Sequence, residues 1–293
     1  MSYLKKFEYV IAICEHGGIS QAAEHLGISQ PTFSKYLKKL ESELGLELFD
    51  RSALPLKLTN AGKCFVEAGR RFLDLDRQLS KQLSEIKSES EAVVRVGVSP
   101  SRSPYVMPDI VEAFKRVCPE ARVVIEERTT SELNRRLTEG ELDLIISIYD
   151  EGTAGFEHKE LSREEILLAV RAEDSAAKDN YEDVLRSHPG ISVGRGQAMW
   201  QVMRGISDEL ALPKPEIECQ SIESALSLVK RGLGAMVVPS YIAKAHSEIR
   251  FLPIDAKAAK AAERRVCLFW RHEQFLTDAE KKFIECTVNV TKY

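Results

Sequence analysis

Long apolar runs are missing: nowhere in the 293 residues does one approach the ~18 to 20 residues that a membrane-spanning helix needs. The opening segment, Met1-Ser2-Tyr3-Leu4-Lys5-Lys6 followed by Glu8 and Glu15, has no uninterrupted apolar stretch either, so no secretory signal and no membrane partner are expected. Cysteine is sparse and scattered (Cys14, Cys64, Cys118, Cys219, Cys267, Cys286), without a C-x-x-C pair or a histidine at metal-ligand spacing. That pattern predicts mostly buried thiols in a reducing cytoplasm, a cytoplasmic protein, and no metal site. An excess of charge of one sign is absent too. With 41 Lys+Arg against 45 Asp+Glu the net charge is -4, which by itself gives no hint of a nucleic-acid partner. Divided by region, the balance separates: residues 1–90 carry 13 basic and 12 acidic side chains, the remainder 28 and 33.

Catalytic signatures are missing as well. Gly194-Arg195-Gly196-Gln197-Ala198-Met199 matches part of a dinucleotide fingerprint but lacks its third glycine. His272-Glu273 has no second histidine one helical turn on, no serine sits in a nucleophile elbow, and all six histidines are isolated along the chain. No enzyme activity and no cofactor are expected. What remains is 44% hydrophobic and 29% charged, an ordinary globular composition, long enough for about two domains at roughly 150 residues each.

Texture changes along the chain. Up to about residue 59, short helical periods alternate with glycine turns. From 60 to 90 one amphipathic pattern runs without proline, with Phe65, Phe72, Leu79 and Ile86 every seven residues and Ala68 and Leu75 between them. Charged residues crowd the other faces, so this helix is expected to dimerise and to double as a linker. From residue 92 strand and helix alternate: strands at 93–98, 122–126 and 142–148 with helices at 104–117 and 131–139. Strand-like runs at 158–161 and 166–171 suggest a hinge crossing. A second unit follows, with strands at 191–193, 216–219 and 235–238 and helices at 199–210 and 221–231. A strand at 264–270 and a helix at 278–290 are expected to return the chain to the first unit. Alternation of this kind implies two lobes, each a parallel sheet covered by helices. A small-molecule cleft is expected between them, beyond the carboxyl ends of the strands.

The most informative stretch is 17–41. Ser20 is positioned to cap a short helix with Ala22, Ala23 and Leu26 on its apolar face, and Gly27 suits a tight turn. Ser29 is expected to cap the next helix, with Pro31 in its first turn. Ile28, Phe33, Leu37 and Leu40 face inward, leaving Gln30, Thr32, Ser34, Lys35 and Lys38 outside. This is a helix-turn-helix, at about residues 18–38, whose second helix would enter a major groove. Gln30 suits adenine, Lys35 guanine, and Thr32 a thymine methyl or a phosphate. Lys38, Lys39, Arg51 and Lys57 are placed for phosphates. Plain three-helix packing with a solvated polar face would show the same spacing. The segments 44–51 and 56–62, with Pro55 between, add a strand, a wing loop, a second strand and the cap of the long helix.

These residues carry a resemblance. Ala22-Ala23, Leu26, Ser29-Gln30-Pro31, Ser34, Leu40-Glu41, Leu44-Gly45, Leu48-Phe49, Arg51, Leu58-Thr59 and Ala61-Gly62 are in register with the N-terminal domain of LysR-type transcriptional regulators. More weakly, Gly97-Val98, Pro104-Tyr105, Pro108, 140–144 and 232–239 are similar to the punctuation of that family's effector domain. The resemblance implies a winged helix-turn-helix DNA-binding domain (1–59), a long dimerisation and linker helix (60–90), and a two-lobed α/β effector-binding domain resembling periplasmic binding proteins (91–293). Lobe I would span about 92–162 and 265–293, lobe II about 163–264. It also implies a homodimer or homotetramer on double-stranded promoter DNA, with paired half-sites, a small co-inducer, and RNA polymerase as a further candidate partner. The DNA-binding residues become Gln30, Pro31, Thr32, Ser34, Lys35, Lys38, Lys39, Arg51 and Lys57. Lys35 stands where arginine is frequent in the family, and the wing at 52–56 lacks the usual basic residues.

Carried over from the family by position, the effector would touch Ser99, Ser101, Arg102, Ser103, Thr129, Thr130, Gly194, Arg195, Gln197, Gln220 and Ser221. Hydroxyls and helix N-termini favour an anion, with Arg102 or Arg195 as counter-ion. Two other readings stand beside the effector-responsive regulator. One is a thiol-based redox sensor of the same fold using Cys219, by analogy with peroxide-sensing relatives. The other is a clamshell binding protein or enzyme whose helical module does not touch DNA.

Overall fold

The computed structural model describes residues 3–51, 56–87, 92–173, 180–195, 198–262, 264–272 and 274–291. It divides into two compact units, the first containing the elements up to residue 87 and the second nearly all of those from residue 92 on.

The first unit comprises α1 (Tyr3–Glu15), α2 (Ile19–His25), α3 (Gln30–Leu44), β1 (Phe49–Asp50), β2 (Lys57–Leu58) and α4 (Asn60–Lys87). Val10, Ile11 and Ile13 of α1 bury themselves against Ala22 and Ala23 of α2, Phe33, Leu37 and Leu40 of α3, and Leu48, Phe49 and Val66. Gly27, at φ 65°, makes the turn between α2 and α3, a left-handed conformation costly for other residues. The caps differ from expectation. Ser20 lies inside the first turn of α2, with Gly18 at the N-cap. Ser29 is the N-cap of α3, but its hydroxyl bonds the Thr32 hydroxyl at 2.7 Å rather than a backbone N–H.

The β1–β2 hairpin, with Phe49 opposite Leu58, is the base of the wing. Thr59 caps α4 by accepting from the Gly62 N–H at 3.0 Å. The N-terminal half of α4 packs on α1, with Phe7 between Phe65 and Phe72 at ring distances of 4.9 and 5.8 Å. Gly69 permits that approach, since a Cβ there would lie 2.6 Å from the Phe7 ring. Beyond this contact the apolar stripe continues uncovered. Phe72, Leu75, Leu79 and Leu83 are 50%, 64%, 52% and 51% exposed. The side chain of Ile86, the last member of the heptad series, lies outside the described residues.

The second unit runs β3 (Val93–Val98), α5 (Ser103–Val117), β4 (Arg122–Glu127), α6 (Thr130–Thr138), β5 (Leu144–Ile148), β6 (Glu157–Glu164) and β7 (Ile166–Arg171). It continues through α7 (Tyr181–Ser187), β8 (Ile191–Val193), α8 (Ala198–Glu209), β9 (Ile217–Cys219), α9 (Ile222–Lys230), β10 (Met236–Pro239), β11 (Ile249–Pro253), α10 (Lys257–Lys260), β12 (Arg264–Trp270) and α11 (Asp278–Thr291). The sequence reading did not anticipate α7, β11 or α10.

The first lobe's sheet has the order β4-β3-β5-β12-β6. The second has β10-β7-β11 and β8-β9, joined by a single parallel bridge between Gly190 and Ala235. Joined this way, lobe II reads β9-β8-β10-β7-β11, the same order as lobe I. Neither sheet is purely parallel, contrary to expectation. β12 runs antiparallel to β5 and β6, and β7 antiparallel to β10 and β11. The reason is topological: β7 and β12 are the strands that follow a crossing from the other lobe, so each enters its sheet reversed. β6 carries lobe I to Glu164, the chain crosses at Glu165, and β12 re-enters that sheet at Arg264. α11 packs on α5, with Phe283 edge-on to Phe114 at 5.1 Å.

Candidate nucleic-acid interface and interlobe cleft

Helix α3 has two chemically distinct faces. Phe33, Leu37, Leu40 and Glu41 are buried, while Gln30, Pro31, Thr32, Lys35 and Lys38 are exposed and Ser34 is half-buried. The helical spacing of the apolar residues produces this split. On the outer face the Gln30 side-chain amide donates to the Ser34 hydroxyl at 3.1 Å, fixing two of the polar groups relative to each other. Lys35 and Lys38 project into solvent, and Lys39 approaches Glu43 at 4.0 Å. Lys57 is exposed on β2. The wing residues 52–55 lie outside the described residues.

Arg51 is exposed at the base of the wing and also has an internal partner. Its Nη2 donates to Glu41 Oε2 at 2.6 Å, and Glu41 also accepts the backbone N–H groups of Leu48 and Phe49 at 2.9 and 3.3 Å. Glu41 therefore pins the wing strand to α3, and Arg51 completes that clamp through Nη2 while its side chain stays 41% exposed.

Within the second unit, the two lobes enclose a cavity of about 370 Å³, lined among others by Ser99, Pro100, Ser101, Arg102, Arg128, Thr129, Thr130, Ser147, Gln220, Ser221, Glu223, Tyr241 and Arg264. Its walls follow the carboxyl ends of β3, β4 and β5 in one lobe and β9 and β10 in the other, as expected for open α/β sheets. Ser99, Ser101, Arg102, Thr129, Thr130, Gln220 and Ser221 thus share one cavity, although they come from segments far apart in the sequence. The Ser221 hydroxyl caps α9, accepting from the Glu223 and Ser224 N–H groups. The Tyr241 hydroxyl donates to the Ser101 carbonyl at 3.2 Å.

Other expected contacts fall elsewhere. Ser103 is buried at the start of α5 and is not on the cavity wall. Gly194 is buried beside Gln220, whose Oε1 would lie 3.1 Å from an added Cβ. Arg195 is exposed, with its guanidinium 5.9 Å from the Trp200 ring centre, and Gln197 lies outside the described residues. Arg102 is at the cavity but is not an available counter-ion. It is buried and engages Glu164 with both terminal nitrogens, while Tyr241 packs over its guanidinium at 4.7 Å. Burial alone would pull its pKa down, but the hydrogen bonds and charge of Glu164 hold it above the ordinary value.

Sequence reasoning missed Arg128, Ser147, Glu223, Tyr241 and Arg264. Arg128 was within reach, because it follows β4 directly beside Thr129. Arg264 was not, because it enters from β12, a whole lobe later in the chain than the other lobe I strands.

The family model described as "Bacterial regulatory helix-turn-helix protein, lysR family" matches residues 4–63, and that described as "LysR substrate binding domain" matches residues 87–292. The chain belongs to the LysR family. It is a DNA-binding transcriptional regulator, in a family of regulators and not of enzymes, which removes the clamshell-enzyme alternative. The hydrogen peroxide-inducible genes activator of Dickeya chrysanthemi is 28% identical over 245 residues, 81% of this chain and 79% of that protein. The probable RuBisCO transcriptional regulator of Trieres chinensis is 26% identical over 263 residues, 86% of this chain and 85% of that protein. Among solved structures, a full-length, singly substituted OxyR from Pseudomonas aeruginosa is 26% identical with a TM-score of 0.63, covering 100% of this chain and 95% of that one. CbnR, a LysR family regulator, has the same fold at 22% identity, a TM-score of 0.66 and full coverage of both chains.

Two further expectations change in this LysR family member. The thiols are not mostly buried: Cys267 is, Cys64 is exposed, and Cys14, Cys118, Cys219 and Cys286 are intermediate. Burial pushes the Cys267 thiol up. Nor are all the histidines isolated in space. The His16 and His25 rings stack at 4.1 Å. His246 of lobe II meets Tyr105 of lobe I at 2.8 Å, and the Tyr105 hydroxyl donates to Glu223 at 2.5 Å. With that hydroxyl proton directed at Glu223, His246 donates through Nε2, leaving Nδ1 buried and unbonded among the described residues. Among the described residues no helix is long and apolar enough to cross a membrane.

Proposed function

We propose that this LysR family regulator acts as a homodimer whose paired α3 helices read two half-sites about one helical turn, or a multiple of it, apart, under control of a small anionic effector in the interlobe cleft. The observation that carries the reading is the exposed polar N-terminal turn of α3, where Gln30, Thr32, Ser34 and Lys35 present amide, hydroxyl and ammonium groups suited to base edges. The uncovered stripe of Phe72, Leu75, Leu79 and Leu83 on α4 supports the dimer, since four large apolar side chains on one helix favour a matching helix over water. The hydroxyl-rich cleft supports the effector. Mobility shifts on chromosomal fragments at physiological salt test the DNA reading. Wild type is expected to select fragments carrying paired half-sites, and Gln30→Ala and Lys35→Ala to lose that selection. Binding no tighter than to bulk DNA would refute it.

A thiol-responsive mode is the second reading, favoured by the peroxide-responsive relatives and by the position of Cys219 next to Gln220 on the cleft wall. Peroxide would then alter DNA binding of the wild type and not of Cys219→Ser.

A further inference from the structure

The three guanidinium groups at the cleft differ in their partners. Both oxygens of Glu164 accept from Arg102. Arg264 lies directly opposite Glu164 in the β12–β6 register and also lines the cavity. Two guanidinium groups therefore flank one carboxylate. Among the described residues the Arg264 side chain makes no hydrogen bond or ion pair, and its Nε is shut away from solvent with no acceptor. Burial pulls its pKa down, Glu164 opposes that, and the neighbouring Arg102 adds to it. Arginine stays charged regardless, so a half-buried cation with no hydrogen-bond acceptor for its Nε stands at the cavity wall. Arg128, the third cation on the wall, is 3.4 Å from Glu132 and exposed.

Resting on the reading of an anionic effector in this cleft, we propose that Arg264 is the seat of the effector's carboxylate, and that the effector is a small carboxylic acid. A carboxylate accepts two parallel N–H bonds from a guanidinium fork, which matches the group left without an acceptor. The Arg102–Glu164 pair, with Tyr241 over it, occupies both Glu164 oxygens beside Arg264. Ser99, Ser101, Thr129, Thr130 and Ser147 then serve the neutral, polar remainder of the molecule. Arg102, which position alone had suggested, keeps the carboxylate that would otherwise neutralise Arg264.

The test uses full-length protein at constant ionic strength, with acetate, lactate and benzoate against acetamide, lactamide and benzamide. Thermal melting and calorimetric titration are read on wild type, Arg264→Gln, Arg264→Lys and Arg116→Gln, the last an exposed residue away from the cavity. Arg264→Gln is expected to melt roughly 2–4 °C higher than wild type without ligand, because it removes a half-buried charge whose Nε has no acceptor. It is also expected to lose at least tenfold in affinity for any acid that binds wild type, with Arg264→Lys between the two and Arg116→Gln within threefold of wild type. The amides are expected to bind neither. A lower melting temperature for Arg264→Gln overturns the seat. So does acid binding that Arg264→Gln leaves unchanged but Thr130→Trp, which fills the cleft, abolishes; the cleft reading would survive that result. Amides binding as well as acids, or no acid shifting wild type, would overturn the anionic reading and the seat together.

Discussion

The two units treat positive charge in opposite ways. On α3 the cations Lys35 and Lys38 stand in solvent, reachable by any phosphate and screened by any salt. In the effector unit Arg102 is enclosed and paired, and Arg264 is half-buried with no acceptor for its Nε. Exposed charge gives affinity that is broad and tunable by ionic strength, which suits a surface that must scan DNA before settling on a site. Enclosed charge resists screening and responds only to a molecule that fits, which suits a sensor. The near-zero net charge of the whole chain hides both arrangements.

Substitutions can break this contrast, and the largest effects are expected where charge is buried. Arg102→Ala leaves Glu164 enclosed without a partner and is expected to cost about 3–5 kcal/mol, read by urea denaturation followed through the effector unit. In the first unit Glu41→Ala strands the Leu48 and Phe49 N–H groups and is expected to cost about 2–4 kcal/mol, whereas Arg51→Ala should cost about 1 kcal/mol. If the two substitutions cost the same, Glu41 is not the pin of the wing. Smaller, but specific, is Gln30→Ala. It is expected to lose about 1–3 kcal/mol of discrimination at one base position of each half-site, measured by competition among mutated sites. Lys38→Ala should weaken all sequences alike and lower the salt dependence by about one counterion per protomer, seen in binding isotherms from low to high salt.

The smallest effect concerns pH in the sensor. Burial, then the charge of Lys230, pulls His246 below its ordinary value of 6.5, against the raising influence of Glu223 and Glu248. The folded protein therefore favours neutral His246. The stability this gives is present above pH 6.5 and is lost as pH falls below it, when the protonated ring no longer suits its buried Nδ1. A melting temperature that falls below pH 6.5 in wild type and less so in His246→Gln would confirm the direction. Identical profiles would show that the Tyr105–His246 contact carries no pH dependence.

Much of this was legible locally. The helix-turn-helix follows from Ala22, Ala23, Gly27, Phe33, Leu37 and Leu40, because period and turn chemistry act within a few residues. The uncovered heptad stripe of α4 is equally a property of one segment. The caps were less legible: hydroxyls at Ser20 and Ser29 had competing partners, and the chain chose Gly18 and the Thr32 side chain. The cleft was half legible. Residues at strand ends, such as Ser99 and Thr129, are marked by the strand that precedes them, but Arg195 has the same local mark and points instead at Trp200. Whether a residue next to a strand end faces the cavity depends on packing that no local pattern encodes.

By itself, the sequence determined most of the segments that become helices and strands, which face of α3 stays polar, and which family the chain resembles, since each depends on periodicity or on motifs within a short window. Only the tertiary structure decided the pairing of charges. Arg102 meets Glu164 from 62 positions away in the sequence, and Arg264 comes beside them only because β12 returns from the second lobe to lie against β6. Electrostatic roles are set by distance in space and by removal from water. Neither quantity exists until the chain has crossed between its lobes and come back.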